Sequence, residues 1–172
     1  MQIIHLPPPG AILLCFILWA FFQRLAAYIC LRIPDRYFRH TSFLYKSRKW
    51  EADGEIYRRV FKVNLWKKRL PDGGKYMKRG YEKKKMKDFS QAGMEKFLTE
   101  SCRGEATHLL AIMPFWVFGL FTPGYVVPIM LVYSLAVNLP CIIAQRYNRP
   151  RIIKLMNRGS DPHNGRKSGG NV

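Results

Sequence analysis

Acidic residues are scarce in this chain. Its 172 residues carry 11 Asp plus Glu against 29 Lys plus Arg, a formal net charge of +18. Cysteine is almost as sparse. Cys15, Cys30, Cys102 and Cys141 show no CxxC spacing, which argues against a zinc site, a redox motif or a disulfide scaffold. No Gly-rich phosphate loop, dinucleotide fingerprint or G-x-S-x-G elbow is present, and there is no internal repeat. With 13 Gly and 11 Pro, neither in a regular period, a collagen-like chain is excluded as well. What is present excludes a disordered basic tail, because 48% of residues are hydrophobic and 14% aromatic. A mean hydropathy of −0.15 must therefore average two unlike populations.

Mapping the charges separates them. Residues 1–10 carry none, and residues 11–31 only Arg24. Residues 32–106 hold 21 Lys/Arg and 10 Asp/Glu, residues 107–144 hold none, and residues 145–172 hold 7 Lys/Arg and Asp161. Two apolar blocks thus separate a basic middle from a basic tail.

The first block, 11–31, has the ~20 residues a membrane helix needs. No positive segment precedes it and no small-residue cleavage pattern follows, so an uncleaved anchor fits better than a signal peptide. Arg24 either snorkels or faces other helices. The second block is divided by Thr122-Pro123-Gly124, which is turn chemistry, into arms 107–121 and 125–144. Pro114, Pro128 and Pro140 should kink or thin these arms. The expected fold is an all-α membrane domain over 1–156 with about three spans, two being the alternative, and a disordered basic tail over 157–172. Lys/Arg bias places both basic regions in the cytoplasm, and the N-terminus and the 122–124 turn outside, in a multi-pass protein of the cell membrane.

The basic region 32–106 is rich in interleaved aromatics and should lie on the membrane. Gly54 and Pro71-Asp72-Gly73-Gly74 read as turns, 55–66 is ambiguous between strand and helix, and 75–88 reads as a solvated helix. From Ser90, a candidate cap, the pattern is helical, with Phe97, Ser101, Glu105 and His108 on one face.

Two polar clusters end the first and last spans, Arg32-Ile33-Pro34-Asp35-Arg36-Tyr37-Phe38-Arg39 and Gln145-Arg146-Tyr147-Asn148-Arg149-Pro150-Arg151. Arginine forks pair with phosphate or carboxylate. Together the clusters could line a headgroup site at one membrane face, or serve only as interfacial anchors. His108 marks where a polar helix becomes apolar, with Glu105 one turn earlier. A histidine there suits deprotonation of an alcohol at the membrane edge. It equally suits a bond to a neighbouring helix, with Glu105 a solvated charge. The His-four-residues-Asp motif of common glycerolipid acyltransferases is absent: Tyr45 and Met113 stand where the Asp would follow His40 and His108.

Four strings, RIPDRYFRH (32–40), WKKRLPDG (66–73), RGEATHLLAIMP (103–114) and NLPCIIAQRYNRPR (138–151), resemble the glycosyl-4,4'-diaponeurosporenoate acyltransferase family of staphyloxanthin-type carotenoid biosynthesis. Residues 75–100 depart from that pattern. The resemblance implies transfer of a fatty acyl group to a sugar hydroxyl of a glycosylated carotenoid acid. It implies a lipid-borne acceptor and an acyl-thioester donor (acyl-CoA or acyl carrier), and no further cofactor or metal. It carries no catalytic residue set, but His108 and Glu105 both fall on matching positions. The expected catalytic residues are His108 as general base, oriented by Glu105 or by Asp72. The expected substrate contacts are Trp66, Lys67, Arg103, Arg32, Asp35, Arg39, Asn138, Gln145, Arg146, Tyr147, Asn148 and Arg149. Membrane lipids are expected partners and nucleic acid is not. The competing function is a non-enzymatic scaffold, since each basic residue near an anionic leaflet contributes about 1 kcal/mol without catalysis. Aromatic-basic interleaving, which also suits RNA, ranks third.

Overall fold

The computed structural model describes residues 2–70 and 90–159, and all regular structure among them is helical. Helix α1, Pro8–Arg32, starts with proline in its first turn, where a missing N–H breaks no helical bond. It ends at Ile33, which Pro34 forces into extended backbone. A 3-10 turn, Asp35–Tyr37, and a longer one, Lys49–Gly54, lead to the short helices α2 (Glu55–Arg59) and α3 (Val63–Trp66) and a 3-10 turn, Lys67–Arg69. The ambiguous stretch 55–66 is therefore helical. The turn expected at 71–74, with Asp72, and the helix expected over 75–88 lie outside the described residues.

Helix α4, Gln91–Ile112, begins as its sequence predicts: the Ser90 hydroxyl accepts the Gly93 amide at 3.1 Å. It passes into a 3-10 stretch, Met113–Leu120, where Pro114 has no amide to continue the α-helical ladder. Helix α5, Val126–Gly159, follows the 122–124 turn and packs along α4. Both arms reach beyond the charge-free block 107–144. The first is the end of α4 plus its 3-10 extension. The second continues without a break through the polar cluster to residue 159, across Pro140 and Pro150. Pro128 stands in the first turn of α5, where it is well suited rather than disruptive. Residues 157–159 are the last of that helix, and the remainder of the tail, 160–172, lies outside the described residues.

Two helices, α1 and α5, are long and apolar enough to cross a membrane. Their outward faces are apolar: Phe16 is 69% and Leu13 61% exposed on α1, and Val132 is 66% exposed on α5. Bare apolar surface of this extent marks contact with lipid or another protein. Arg24 is exposed, so it faces outward from α1 rather than against another helix. Helix α4 carries Glu95, Lys96, Glu100, Arg103 and Glu105 and is not a third candidate of that kind. From Arg103 onward it and its 3-10 extension nevertheless run beside α1. At one end Arg103 pairs with Asp35, just past the end of α1. At the other, the amides of Ile3 and Ile4 donate to the Leu120 carbonyl at 2.7 and 3.0 Å. The chain therefore runs along α1, back along α4, and forward again along α5. The charge-free N-terminal segment and the 122–124 turn sit together at one end, and the polar clusters gather at the other.

Candidate active site

The polar end is organised by the few acidic residues. Glu105 of α4, 1% exposed, sits between two arginines of α5. Its Oε1 accepts Arg146 Nε at 2.7 Å and its Oε2 accepts Arg149 Nη2 at 2.7 Å. Arg146 Nη1 also donates to Glu51 at 2.6 Å, and Nη2 to the Leu44 carbonyl at 2.8 Å. Arg149 Nη1 donates to the Tyr45 carbonyl at 2.7 Å. Two buried carboxylates thus balance two guanidiniums. Charges removed from water need such pairing, because an unmatched one costs several kcal/mol. The carbonyl contacts bind the 44–51 segment to the helix pair. Tyr57, beside this cluster, has its hydroxyl pKa pushed up to about 12, by burial first and then by the Glu51 charge, with Arg146 opposing.

The backbone is shaped to deliver Glu51. Ala52, Asp53 and Gly54 have φ of 44°, 54° and 88°, a left-handed run immediately after it. Gly54 is required twice over. Its φ suits glycine, and a Cβ there would lie 3.2 Å from the Tyr147 carbonyl oxygen of α5.

A second junction ties α1 to α4. Arg103 Nη1 donates to buried Glu100 at 2.7 Å, Nη2 pairs with Asp35, and the guanidinium lies over the Phe38 ring. Arg103 and Arg149 each keep a buried Nε–H with no hydrogen-bond partner. Ser101, fully buried on α4, donates to Gln145 of α5 at 3.0 Å.

His108 lies one turn beyond Glu105, toward the apolar end. Its Nδ1 is 2.9 Å from Oδ1 of Asn138 on α5. Asn138 is fully buried, and its Nδ2 donates to the Ser134 carbonyl at 2.9 Å. The partner the structure supplies for His108 Nδ1 is therefore an amide rather than the Glu105 carboxylate, whose two oxygens both hold arginine. Asp72, the other expected orienting residue, lies outside the described residues.

At the polar end, Lys67 Nζ donates to Asn148 Oδ1 at 2.8 Å and lies 4.7 Å from the centre of the Tyr147 ring. The Arg151 guanidinium is 3.6 Å from the same ring centre. Burial, then Arg151 and Lys68, lower the Lys67 pKa. Arg151 also approaches Glu55, at 3.9 Å. Trp66 fixes the adjoining turn, its indole N–H donating to the Phe61 carbonyl at 2.7 Å. Arg32, over the Tyr28 ring, and Arg39 are exposed on the same end.

Sequence reasoning therefore named most of the converging residues but assigned Arg146 and Arg149 to substrate, whereas their forks are directed inward to Glu105, Glu51 and backbone carbonyls. It missed Glu51, Glu100, Tyr45 and Ser134. Glu51 had a legible signal: in a chain this poor in acids, each carboxylate invites the question of which cation it holds. Among the described residues no three His, Cys, Asp or Glu side chains gather as a metal site would need.

Residues 41–158 match the model of the glycosyl-4,4'-diaponeurosporenoate acyltransferase family. The chain belongs to this family. Relatives of that name from Staphylococcus aureus include one from strain MRSA252, 34% identical over 142 residues, 83% of this chain and 86% of the relative. Those of strains RF122 / ET3-1 and USA300 are 33% identical over the same shares. No solved structure matches. Membership makes the chain an acyltransferase, which sets aside the non-enzymatic scaffold. The match of residues 41–158 takes in Glu51, Lys67, Glu105, His108, Asn138 and the two α5 arginines, so the Glu105 junction and the His108 pair fall within the matched segment, while Arg32, Asp35 and Arg39 precede it.

Proposed function

We propose that this protein is an integral membrane O-acyltransferase that esterifies a sugar hydroxyl of a glycosylated carotenoid acid with a fatty acyl group from an acyl thioester. The observation that carries the reading is the His108–Asn138 pair, set where the polar end meets the apolar helices of a family acyltransferase. His108 takes the sugar hydroxyl proton. The oxygen attacks the thioester carbonyl and the C–O bond forms. The C–S bond then breaks, and the leaving thiolate takes the proton from the imidazolium. Glu105 serves the site indirectly, by holding Arg146 and Arg149 in place.

Donor phosphates are held at the polar end by Lys67, with Arg32 and Arg39 nearby. The lowered Lys67 pKa supports this, because burial first, and then Arg151 and Lys68, disfavour its charge, and a bound anion would favour it. The sugar headgroup lies against Asn148 and Gln145, and both lipid chains enter from the side between helices. The chain crosses the bilayer three times, with α4 and its 3-10 extension as the middle crossing. The antiparallel run of that segment beside α1 supports this topology. The N-terminus and the 122–124 turn face outward, and the basic loop and C-terminus face the cytoplasm.

The test is lipid mass spectrometry of a host making the glycosylated carotenoid acid, with wild-type protein and with His108→Gln. Wild type yields the acyl ester, and the variant inserts in the membrane but yields at most about a hundredth as much. Ester from the variant at the wild-type level refutes His108 as the base. No ester from wild type refutes the acceptor.

A further inference from the structure

Asn138 is fully buried in α5, four residues after Ser134, and both ends of its amide are in use. The amide has a donor end and an acceptor end, and its surroundings decide which is which. A backbone carbonyl can only accept, so the end 2.9 Å from the Ser134 oxygen must be the NH₂. The end 2.9 Å from His108 Nδ1 is then the carbonyl oxygen, which can only accept. The reverse orientation would place two oxygens against each other at hydrogen-bond distance. His108 Nδ1 must therefore carry the proton, and in the neutral ring the basic lone pair resides on Nε2.

We infer that Asn138 is a positioning residue that fixes the tautomer of His108, with the α5 backbone at Ser134 fixing Asn138 in turn. This inference rests on the reading of His108 as the base that activates the acceptor hydroxyl. It goes further in naming the nitrogen that takes the proton, Nε2, and the chain of bonds that selects it. The device differs from a histidine oriented by a carboxylate. A neutral amide sets the tautomer and the ring direction but contributes no negative charge to stabilise the imidazolium. It is also suited to this depth, because a second carboxylate deeper in the apolar part of the bundle would need its own counter-ion. The nearest carboxylate on the same helix, Glu105, is already held by Arg146 and Arg149.

The experiment compares Asn138→Asp, Asn138→Leu and His108→Gln with wild type in proteoliposomes, using palmitoyl-CoA and a glycosylated carotenoid acid, across a pH series. Asparagine-to-leucine removes the acceptor. It is expected to lower kcat by roughly ten- to a hundredfold with KM within about twofold. Asparagine-to-aspartate keeps an acceptor and adds a negative charge, so activity persists and the acidic limb of the kcat profile moves to higher pH. A packing role alone would not move that limb. Nitrogen-15 NMR of the wild-type histidines, assigned by His108→Gln, gives a check that needs no Asn138 variant to remain folded. The expected signature is a protonated Nδ1 and an unprotonated Nε2.

If His108→Gln is inactive while both Asn138 variants keep wild-type kcat and pH profile, the positioning role is overturned and the base survives. An unprotonated Nδ1 in the wild-type spectrum overturns it as well. If His108→Gln remains active, the base itself fails and this inference with it.

Discussion

Replacing Glu105 by Gln tests the polar junction most directly. The side chain is 1% exposed and accepts two guanidiniums at 2.6–2.7 Å. Glutamine keeps the shape and one acceptor oxygen but removes the charge. Arg146 retains Glu51 at 2.6 Å. Arg149, with its side chain 4% exposed, retains only the Tyr45 carbonyl. One buried cation is then left without a counter-ion, a change that costs about 3–5 kcal/mol. Removing both partners should restore stability. In Glu105→Leu/Arg149→Met the uncompensated pair is gone altogether, while Glu51 and Arg146 remain matched. Replacement of a buried pair by apolar side chains is often neutral, so the double variant should recover most of the loss. The assay is reversible unfolding in mixed detergent micelles, followed by tryptophan fluorescence, with the double-mutant cycle giving the coupling. A Glu105→Gln protein within about 1 kcal/mol of wild type would refute the buried-junction argument. So would a double variant no more stable than the single one.

Two further predictions bear on neighbouring features. Gly54→Ala should lower stability by about 1–3 kcal/mol, measured the same way, because it combines a φ of 88° with a Cβ 3.2 Å from a backbone oxygen of α5. A neutral result would mean that the 52–54 turn does not hold Glu51 against the helices. His40 is half-buried, and its pKa is lowered below the ordinary 6.5, by burial first and then by Arg149 and Arg39 against an opposing Glu95. The unfolded chain therefore binds a proton more readily than the fold does. Stability is present above 6.5 and is lost as pH falls through the window just beneath that value. His40→Gln should flatten the stability profile in that window and leave it unchanged above pH 7; an unchanged slope would remove His40 as its source.

Much of this was legible in the sequence, and the reasons are local. The Ser90 cap, the stop at Ile33-Pro34 and the turn at 122–124 each follow from the chemistry of one or two residues. So does the helical face of Phe97, Ser101, Glu105 and His108, which becomes the packed face of α4. The end of the last helix was not legible. The cluster 145–151 reads as the polar stop of a span, yet α5 continues through it, because its side chains gain partners on α4 and on the 44–51 segment. That is a tertiary effect, and no local rule encodes it. The fate of Arg146 and Arg149 was hidden for the same reason. An arginine looks alike in sequence whether it faces a substrate or a glutamate 41 or 95 positions away.

The scarcity of acid residues explains why this matters. Among the described residues there are seven, and six of them, Asp35, Glu51, Asp53, Glu55, Glu100 and Glu105, form ion pairs. The seventh, Glu95, accepts a hydrogen bond from Gln91. Three of the six are buried, and those three hold the arginines Arg103, Arg146 and Arg149. These arginines are thereby fixed in the scaffold, while Arg32 and Arg39 are exposed at the same end and half-buried Lys67 bonds to Asn148. In a chain with acids to spare, a surface anion site would be neutralised from within. Here nearly every described carboxylate is committed to a pair, so the excess of positive over negative side chains among the described residues of the polar end follows from composition. Adding an acid there, as in Asn148→Asp beside Lys67, should weaken binding of a phosphate-bearing donor while leaving the buried junction intact.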